Sequence, residues 1–438
     1  MEFSRPIPHY WTAARRFWFR FFCCFFILYT FPFPLTSPPF VAGMKSLQWY
    51  FDLFDNIDTF WHWLVKGTGK HVLHLKAPIT TFTNGSGDTT YDYVLMLTEV
   101  VLSLFIAIIW TIIDRSRRSY NTAYYWLCVL IRYFLASMML SYGFAKVFHL
   151  QMPYPYLSRL LQPYGDSSPM GLAWTYVGQS KAFSVFVGWS EVVCGLLLLF
   201  RKTSLVGSLL SLVVMGNVVA INLCYDVPVK LFSSTLELMA LYLAAPFLPS
   251  LYTLFIKHKP GVLVKQERPV FRKRWMGILI NILKLLFIAS AIFRGIAGSL
   301  DSTVQYGDDR PKPALYGIYN AETVICNHDT LAPLSTDTIR WKQLVIQAAD
   351  FAKVKMMNDT VYNYNFRIDT IKHTAVVFPV ADTLHKSNFS YVKDSVYLTL
   401  TGKVKEGSIY MRFKRYDEKK FRLMARGFHW INETPYNK

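Results

Sequence analysis

The chain has 438 residues, of which 53% are hydrophobic and 17% aromatic, with 47 Lys and Arg against 28 Asp and Glu for a net charge of +19. A purely soluble fold is excluded, because it could not hide so many long apolar runs; the length allows a membrane unit plus one soluble domain. The basic excess does not point to nucleic acid, since no binding motif accompanies it and the charge gathers in short clusters between apolar runs, where it sets topology.

Seven runs have about the 20 residues that a helix needs to cross the hydrocarbon core. They cover roughly 17–38, 92–113, 123–145, 183–200, 203–224, 231–249 and 275–297. The first is Phe-rich and interrupted by Pro32, Pro34 and Pro38, and reads as a retained helix rather than a cleaved signal. Basic clusters fall on alternate connections. Arg5, Arg15, Arg16 and Arg20 lie at or before the start of the first run, Arg115, Arg117 and Arg118 follow the second, and Arg201 and Lys202 follow the fourth. Lys257, Lys259, Lys265, Arg268, Arg272, Lys273 and Arg274 separate the sixth from the seventh. The positive-inside rule then predicts a multi-pass inner-membrane protein with a cytoplasmic N-terminus and a periplasmic C-terminal domain.

Between the first two runs, residues 41–91 form a long outer connection. The stretch from Trp49 to Val65 has the aromatic-rich, amphipathic look of an interfacial helix, and Asn84-Gly-Ser-Gly-Asp88 is a turn signal. His71 and His74, at i,i+3, would share a helical face, but two histidines without a third ligand do not make a metal site. The connection 146–182 is rich in Pro, Tyr and Gly, a composition that suggests more than a linker. Six cysteines include no Cys-x-x-Cys pair, and a Cys224–Cys326 bridge is conceivable because both fall on the predicted outer side.

After the seventh run, residues 299–335 read as a linker with turns. From about 338 apolar residues alternate at period two, as in Val396, Leu398, Leu400 and Ile409, Met411, Phe413. Further strand candidates are Thr338–Gln347, Val361–Ile368, His373–Phe378 and Phe421–Arg426, giving an antiparallel sheet or small sandwich. The fold class is thus an α-helical polytopic membrane bundle of about seven helices with a C-terminal antiparallel β domain. The divisions fall at 1–122, 123–249, 250–298 and 299–438.

Charged residues inside the runs are the candidate site. At about 1.5 Å per residue, Glu99, Glu191 and Glu237 lie about 10 Å below the outer ends of their helices, with Asn217 near the same level. Arg132 and Lys284 count to about 13 Å from the inner side. Such groups face a bundle interior and pair, as a packing network or as a polar pocket that moves protons. Lys146 ends the third run in Gly143-Phe-Ala-Lys146, with His149, Gln151 and Tyr154 following, and Asn222 and Asp226 stand at the outer end of the fifth. Lys146 either complements the helix C-terminus and snorkels, or sits at the pocket mouth as a base or an anchor for an anionic headgroup or quinone oxygen.

Residues 123–249 resemble the DoxX-like family of bacterial membrane proteins. The resemblance rests on Tyr142-Gly143-Phe-Ala-Lys146, a Pro-containing outer loop, Glu191-Val-Val-Cys-Gly195, and an Arg-Lys-Thr203 turn into a Gly-containing helix. It implies a four-helix membrane unit, with some members linked to quinone-coupled sulfur oxidation or oxidative-stress complexes. The Gly-x-x-Lys element is also similar to one in the membrane domain of vitamin K-dependent carboxylases and their bacterial relatives, where the lysine deprotonates a reduced quinone; carried over, Lys146 is that base. The expectation is therefore a binder of quinone or another lipophilic ligand in a membrane redox role, with Lys146 and Glu191 in the chemistry. Glu99, Arg132, His149, Gln151, Tyr154, Asn217, Asn222, Asp226 and Glu237 would surround the ligand. No cofactor is built in and no metal is expected; the partners are membrane lipid and a quinone. The alternative is a non-enzymatic assembly subunit that docks an envelope protein through residues 336–438.

Overall fold

The computed structural model describes residues 4–5, 10–35, 48–81, 85–261, 263–264, 273–404 and 407–437. The end of the first apolar run, Asn84 of the predicted turn, and Lys265, Arg268 and Arg272 lie outside the described residues. The helices in chain order are α1 Ala13–Thr30, α2 Gln48–His71, α3 Thr90–Ile113, α4 Asn121–Val147, α5 Leu157–Leu160, α6 Pro169–Gly178, α7 Lys181–Leu199, α8 Ser204–Cys224, α9 Lys230–Ala244, α10 Leu248–Phe255, α11 Arg274–Gln305 and α12 Arg422–Ala425. The chain divides into two compact units, Met1–Gln151 with Ala182–Ser302, and Met152–Lys181 with Thr303–Lys438.

The first unit is a helical bundle. Among the described residues six helices are long and apolar enough to cross a membrane: α3, α4, α7, α8, the continuous Lys230–Phe255 stretch, and α11. In that stretch Pro246 removes a backbone donor, and a 3-10 turn, Ala245–Phe247, joins α9 to α10. The expected first span is α1, which is not among the six because Arg15, Arg16 and Arg20 lie on it. It packs as part of the bundle all the same. Phe19, Phe25 and Phe26 are buried, and the buried Arg20 donates to the Tyr120 hydroxyl (3.0 Å), to Thr111 Oγ1 (2.9 Å) and to the Asp114 carbonyl (2.8 Å). A guanidinium that satisfied can sit beside apolar neighbours where an unpaired one would cost several kcal/mol. α4 is the central helix: Ile131, Leu135 and Met139, at i,i+4 spacing, are all buried in the core.

The expected interfacial segment forms one 24-residue helix, α2, with Phe60 and Trp63 exposed and Val65 buried. The helix ends at His71, and His74 has left-handed backbone (φ 49°), so the two histidines do not share a helical face.

The second unit is built on eight strands: β1 Gly317–Cys326, β2 Trp341–Ala348, β3 Phe351–Met356, β4 Val361–Asp369, β5 Thr374–Pro379, β6 Ser387–Lys393, β7 Tyr397–Val404 and β8 Gly407–Tyr416. Each pairs antiparallel with the next, and β8 pairs back onto β1, with Met411 opposite Val324. The expected antiparallel sheet is therefore closed into an up-and-down barrel rather than folded as a sandwich. Closure leaves no free edge. Period-two residues fill the interior: Leu398 and Leu400 on β7 stand opposite Phe413 and Met411 on β8, and all four are buried. β1 was hidden within the supposed linker 299–335, and Phe421–Arg426 contains the turn α12 rather than a strand. All six cysteines are free; Cys224 is exposed at the end of α8 and Cys326 is buried at the end of β1.

The Pro-rich connection belongs to this unit. Leu157 on α5 packs against Ile318 and Val345 on the barrel's outer face, and the Ser158 amide donates to Gln347 Oε1 (3.0 Å). The loop between α4 and α7 is thus part of the β domain, which matches its unusual composition.

Three barrel turns repeat one device. Asp369, Asp382 and Asp394 each accept from the backbone amides two and three residues on. The Tyr397 and then the Val396 amide hold Asp394 below the usual carboxylate range, the Lys372 amide does so for Asp369, and the His385 side chain for Asp382. A depressed carboxyl stabilises the fold above its unfolded value of about 3.9, and the contribution fades as pH falls through the lower folded value. The barrel should therefore melt progressively earlier below about pH 4. Asp394→Asn should lower the melting temperature at pH 7 and shrink the further drop on acidification, read by circular dichroism; equal pH slopes for both proteins would contradict this.

Candidate functional site

The site is built by the contact of α4 with α7. A Cβ added at Gly143 would stand 2.9 Å from the Gly188 carbonyl oxygen, and one at Gly188 only 2.6 Å from the Val147 amide nitrogen. Only glycine at both positions lets the two backbones come this close, the small-residue packing that membrane helices favour. Ser184 Oγ reinforces it by donating to the Lys146 carbonyl (2.9 Å).

This approach seats Lys146 against Glu191. The Lys146 Nζ lies 2.8 Å from both carboxylate oxygens, and both side chains are buried. Gly143 therefore admits a neighbouring helix. A lysine held by both oxygens of a carboxylate is engaged as a hydrogen-bond donor and is closed on that partner. The Tyr142 ring lies 5.7 Å from the same Nζ.

Glu99 on α3 is also buried, at 6% exposure, and among the described residues no ion pair reaches its carboxylate. It interacts electrostatically with Tyr29 of α1, which in turn interacts with Thr235 of α9 and with Tyr142. Tyr142 interacts with Glu191. Glu99, Tyr29, Tyr142 and the Glu191–Lys146 pair thus lie near enough within the bundle to feel one another's charge. Tyr29 was not singled out from the sequence, because Tyr is common at membrane boundaries; Tyr142 stood in the Tyr142-Gly143-Phe-Ala-Lys146 element, one turn before Lys146, but was given no role there.

The other expected residues divide. His149 is fully buried with left-handed backbone (φ 58°), and its amide donates to the Lys146 carbonyl (3.0 Å). Gln151, at the same end of α4, has a buried Oε1 with no partner among the described residues. Tyr154 falls in the second compact unit and is exposed. Glu237 is half-buried against Gly216, where an added Cβ would lie 3.3 Å from its Oε1. Asn217 is exposed. Asn222 donates to Ser233 Oγ (2.9 Å) and ties α8 to α9, while Asp226 pairs with Lys230 at the surface (2.8 Å). Asp88, read in the sequence only as part of a turn signal, accepts from the Lys230 and Leu231 amides and caps α9.

The expected mid-membrane pairing of Arg132 is not formed. Its Nε donates to the Leu198 carbonyl (3.0 Å) and an Nη to that of Leu199 (3.3 Å), so it caps the C-terminus of α7. α4 has 27 residues and α7 only 19, and Arg132 in the first half of α4 lies level with the end of α7. α4 is longer by about 12 Å. Lys284 is at the same level, 5.4 Å from the Phe200 ring just beyond α7.

Helices of this length and apolarity, with buried carboxylates inside the bundle, define a multi-pass membrane protein carrying a β-barrel domain. Over 121 residues the chain is 30% identical to the uncharacterized protein YwoB of Bacillus subtilis (strain 168), covering 26% of this chain and 71% of that protein. Through that segment the chain belongs to the family of the Bacillus protein. No protein-family model matches the chain, and no solved structure matches it.

Removing one member of a buried ion pair leaves the other charge uncompensated, at about 3–5 kcal/mol, whereas replacing both with apolar residues is close to neutral. Glu191→Ala should lower the detergent-solubilised melting temperature markedly, and Lys146→Met with Glu191→Leu should restore most of it. Equal losses in the single and double variants would show that the two side chains do not act as a pair.

Proposed function

We propose that the helical unit is a DoxX-like membrane module that binds a quinone or a similar lipophilic, hydroxyl-bearing ligand in a redox role. The observation that carries this reading is Glu99, a buried carboxylate without an ion-pair partner among the described residues, grouped with Tyr29, Tyr142 and the closed Lys146–Glu191 pair. A bundle that needed charge only for packing has no use for an uncompensated acid, and ionisable groups within membrane helices are as a rule functional. Gln151 Oε1 supplies a second acceptor in want of a donor.

In this reading Glu99 takes the hydroxyl proton, and Lys146 acts as an anchor that fixes the Glu191 carboxyl in place. This changes the role that the carboxylase resemblance gave the lysine. Any electrons leave through the quinone to a partner, since the chain supplies no carrier of its own. The module sits in the inner membrane with its N-terminus cytoplasmic and its β domain periplasmic. The charge alternation supports that orientation. So does the joint folding of residues 152–181 with residues 303–438, which requires the α4–α7 connection and the chain after α11 to emerge on one side.

The assembly reading has its own support: Lys146 and Glu191 are closed on each other, and the barrel interior is filled by side chains, which leaves the outer barrel surface to meet an envelope partner. Mass spectrometry of quinones extracted from purified protein separates the two. Stoichiometric quinone in the wild type, lost in Glu99→Gln at unchanged melting temperature, is the expected result. Wild-type protein without quinone would contradict it in favour of assembly.

A further inference from the structure

At the opposite end of α4 from Lys146, a cavity of about 440 Å³ opens between the first half of α4, the first half of α11 and the α7–α8 turn. This lies within the range of about 300–1,000 Å³ in which small-ligand sites fall. Arg132, Arg201 and Lys284 line it, and among the described residues no Asp or Glu does. Tyr125, Trp126 and Phe287 form aromatic walls. The Arg201 guanidinium lies 5.9 Å from the Tyr125 ring.

Three cations in one partly enclosed space repel one another, and an anion among them turns that repulsion into attraction. Arg132 is anchored on the last carbonyls of α7, so the site is rigid on that side. The turn that follows, with Arg201 and Lys202 exposed, marks a membrane boundary, the level at which lipid headgroups sit. α11 turns an apolar side outward beside the cavity, with Ile278, Ile282 and Leu285 all exposed. A molecule that fits both features carries an anion at one end and hydrocarbon at the other.

We infer that this cavity binds the phosphate-bearing headgroup of an anionic membrane lipid, whose acyl chains lie along the exposed side of α11. Arginine offers phosphate a planar fork of donors, and basic pockets between membrane helices select such headgroups. The site is separate from the Glu99 group and does not depend on the quinone reading.

Native mass spectrometry of the full chain in detergent, titrated with phosphatidylglycerol, phosphatidylcholine or inorganic phosphate, tests it. Arg132 is left in place because it caps α7. Phosphatidylglycerol should bind at one site, and Arg201→Gln with Lys284→Gln should weaken it about thirtyfold, as the loss of two such cations implies. The charge-matched pair Lys257→Gln with Lys259→Gln should leave binding unchanged. Equal binding of phosphatidylcholine, equal weakening in both double variants, or saturation by phosphate alone would each overturn the inference, the last by assigning the cavity to a soluble anion.

Discussion

The contact between α4 and α7 at Gly143 and Gly188 is the constraint on which the rest of the bundle depends. A side chain at either position would collide with the facing backbone. With that approach in place, Lys146 meets Glu191 directly, and two charges that would each cost several kcal/mol alone become one neutral, hydrogen-bonded unit. Without it, the ammonium and the carboxylate would separate inside an apolar core. The glycines are thus as much part of the site as the charges they bring together.

The bundle is chemically polarised along α4. One end holds Glu99, Glu191 and the phenols of Tyr29 and Tyr142 near Lys146; the other holds Arg132, Arg201 and Lys284 with aromatic rings and, among the described residues, no carboxylate in their shared cavity. The first arrangement suits proton exchange with a ligand, in the function proposed for it, and the second suits an anion. The same helix serves both because it is longer than α7, so its two ends meet different surroundings.

The sequence revealed the six apolar spans closely, because a run of about 20 apolar residues has few alternatives. It revealed the Lys146 and Glu191 positions but not their pairing, which depends on the rotation of two helices about their axes. It gave no sign that Arg132 meets the Leu198 and Leu199 carbonyls, because which helix end a side chain faces depends on non-local packing. The strands of the barrel were legible where period-two alternation was clean, as in β7 and β8. β1 was missed because Pro311, Pro313 and neighbouring charges gave its surroundings the look of a linker. Barrel closure rests on the β8–β1 pairing, between strands about 90 residues apart, which no local pattern encodes. The docking of residues 152–181 on the barrel is non-local in the same way.

The most direct test of the account is an infrared difference spectrum recorded on adding a short-tailed quinol to the purified protein. The account predicts a carboxyl band that changes with quinol and is absent in Glu99→Gln. A wild-type spectrum without any carboxyl change, from protein shown to be folded, would contradict it and leave the buried charges as a packing network.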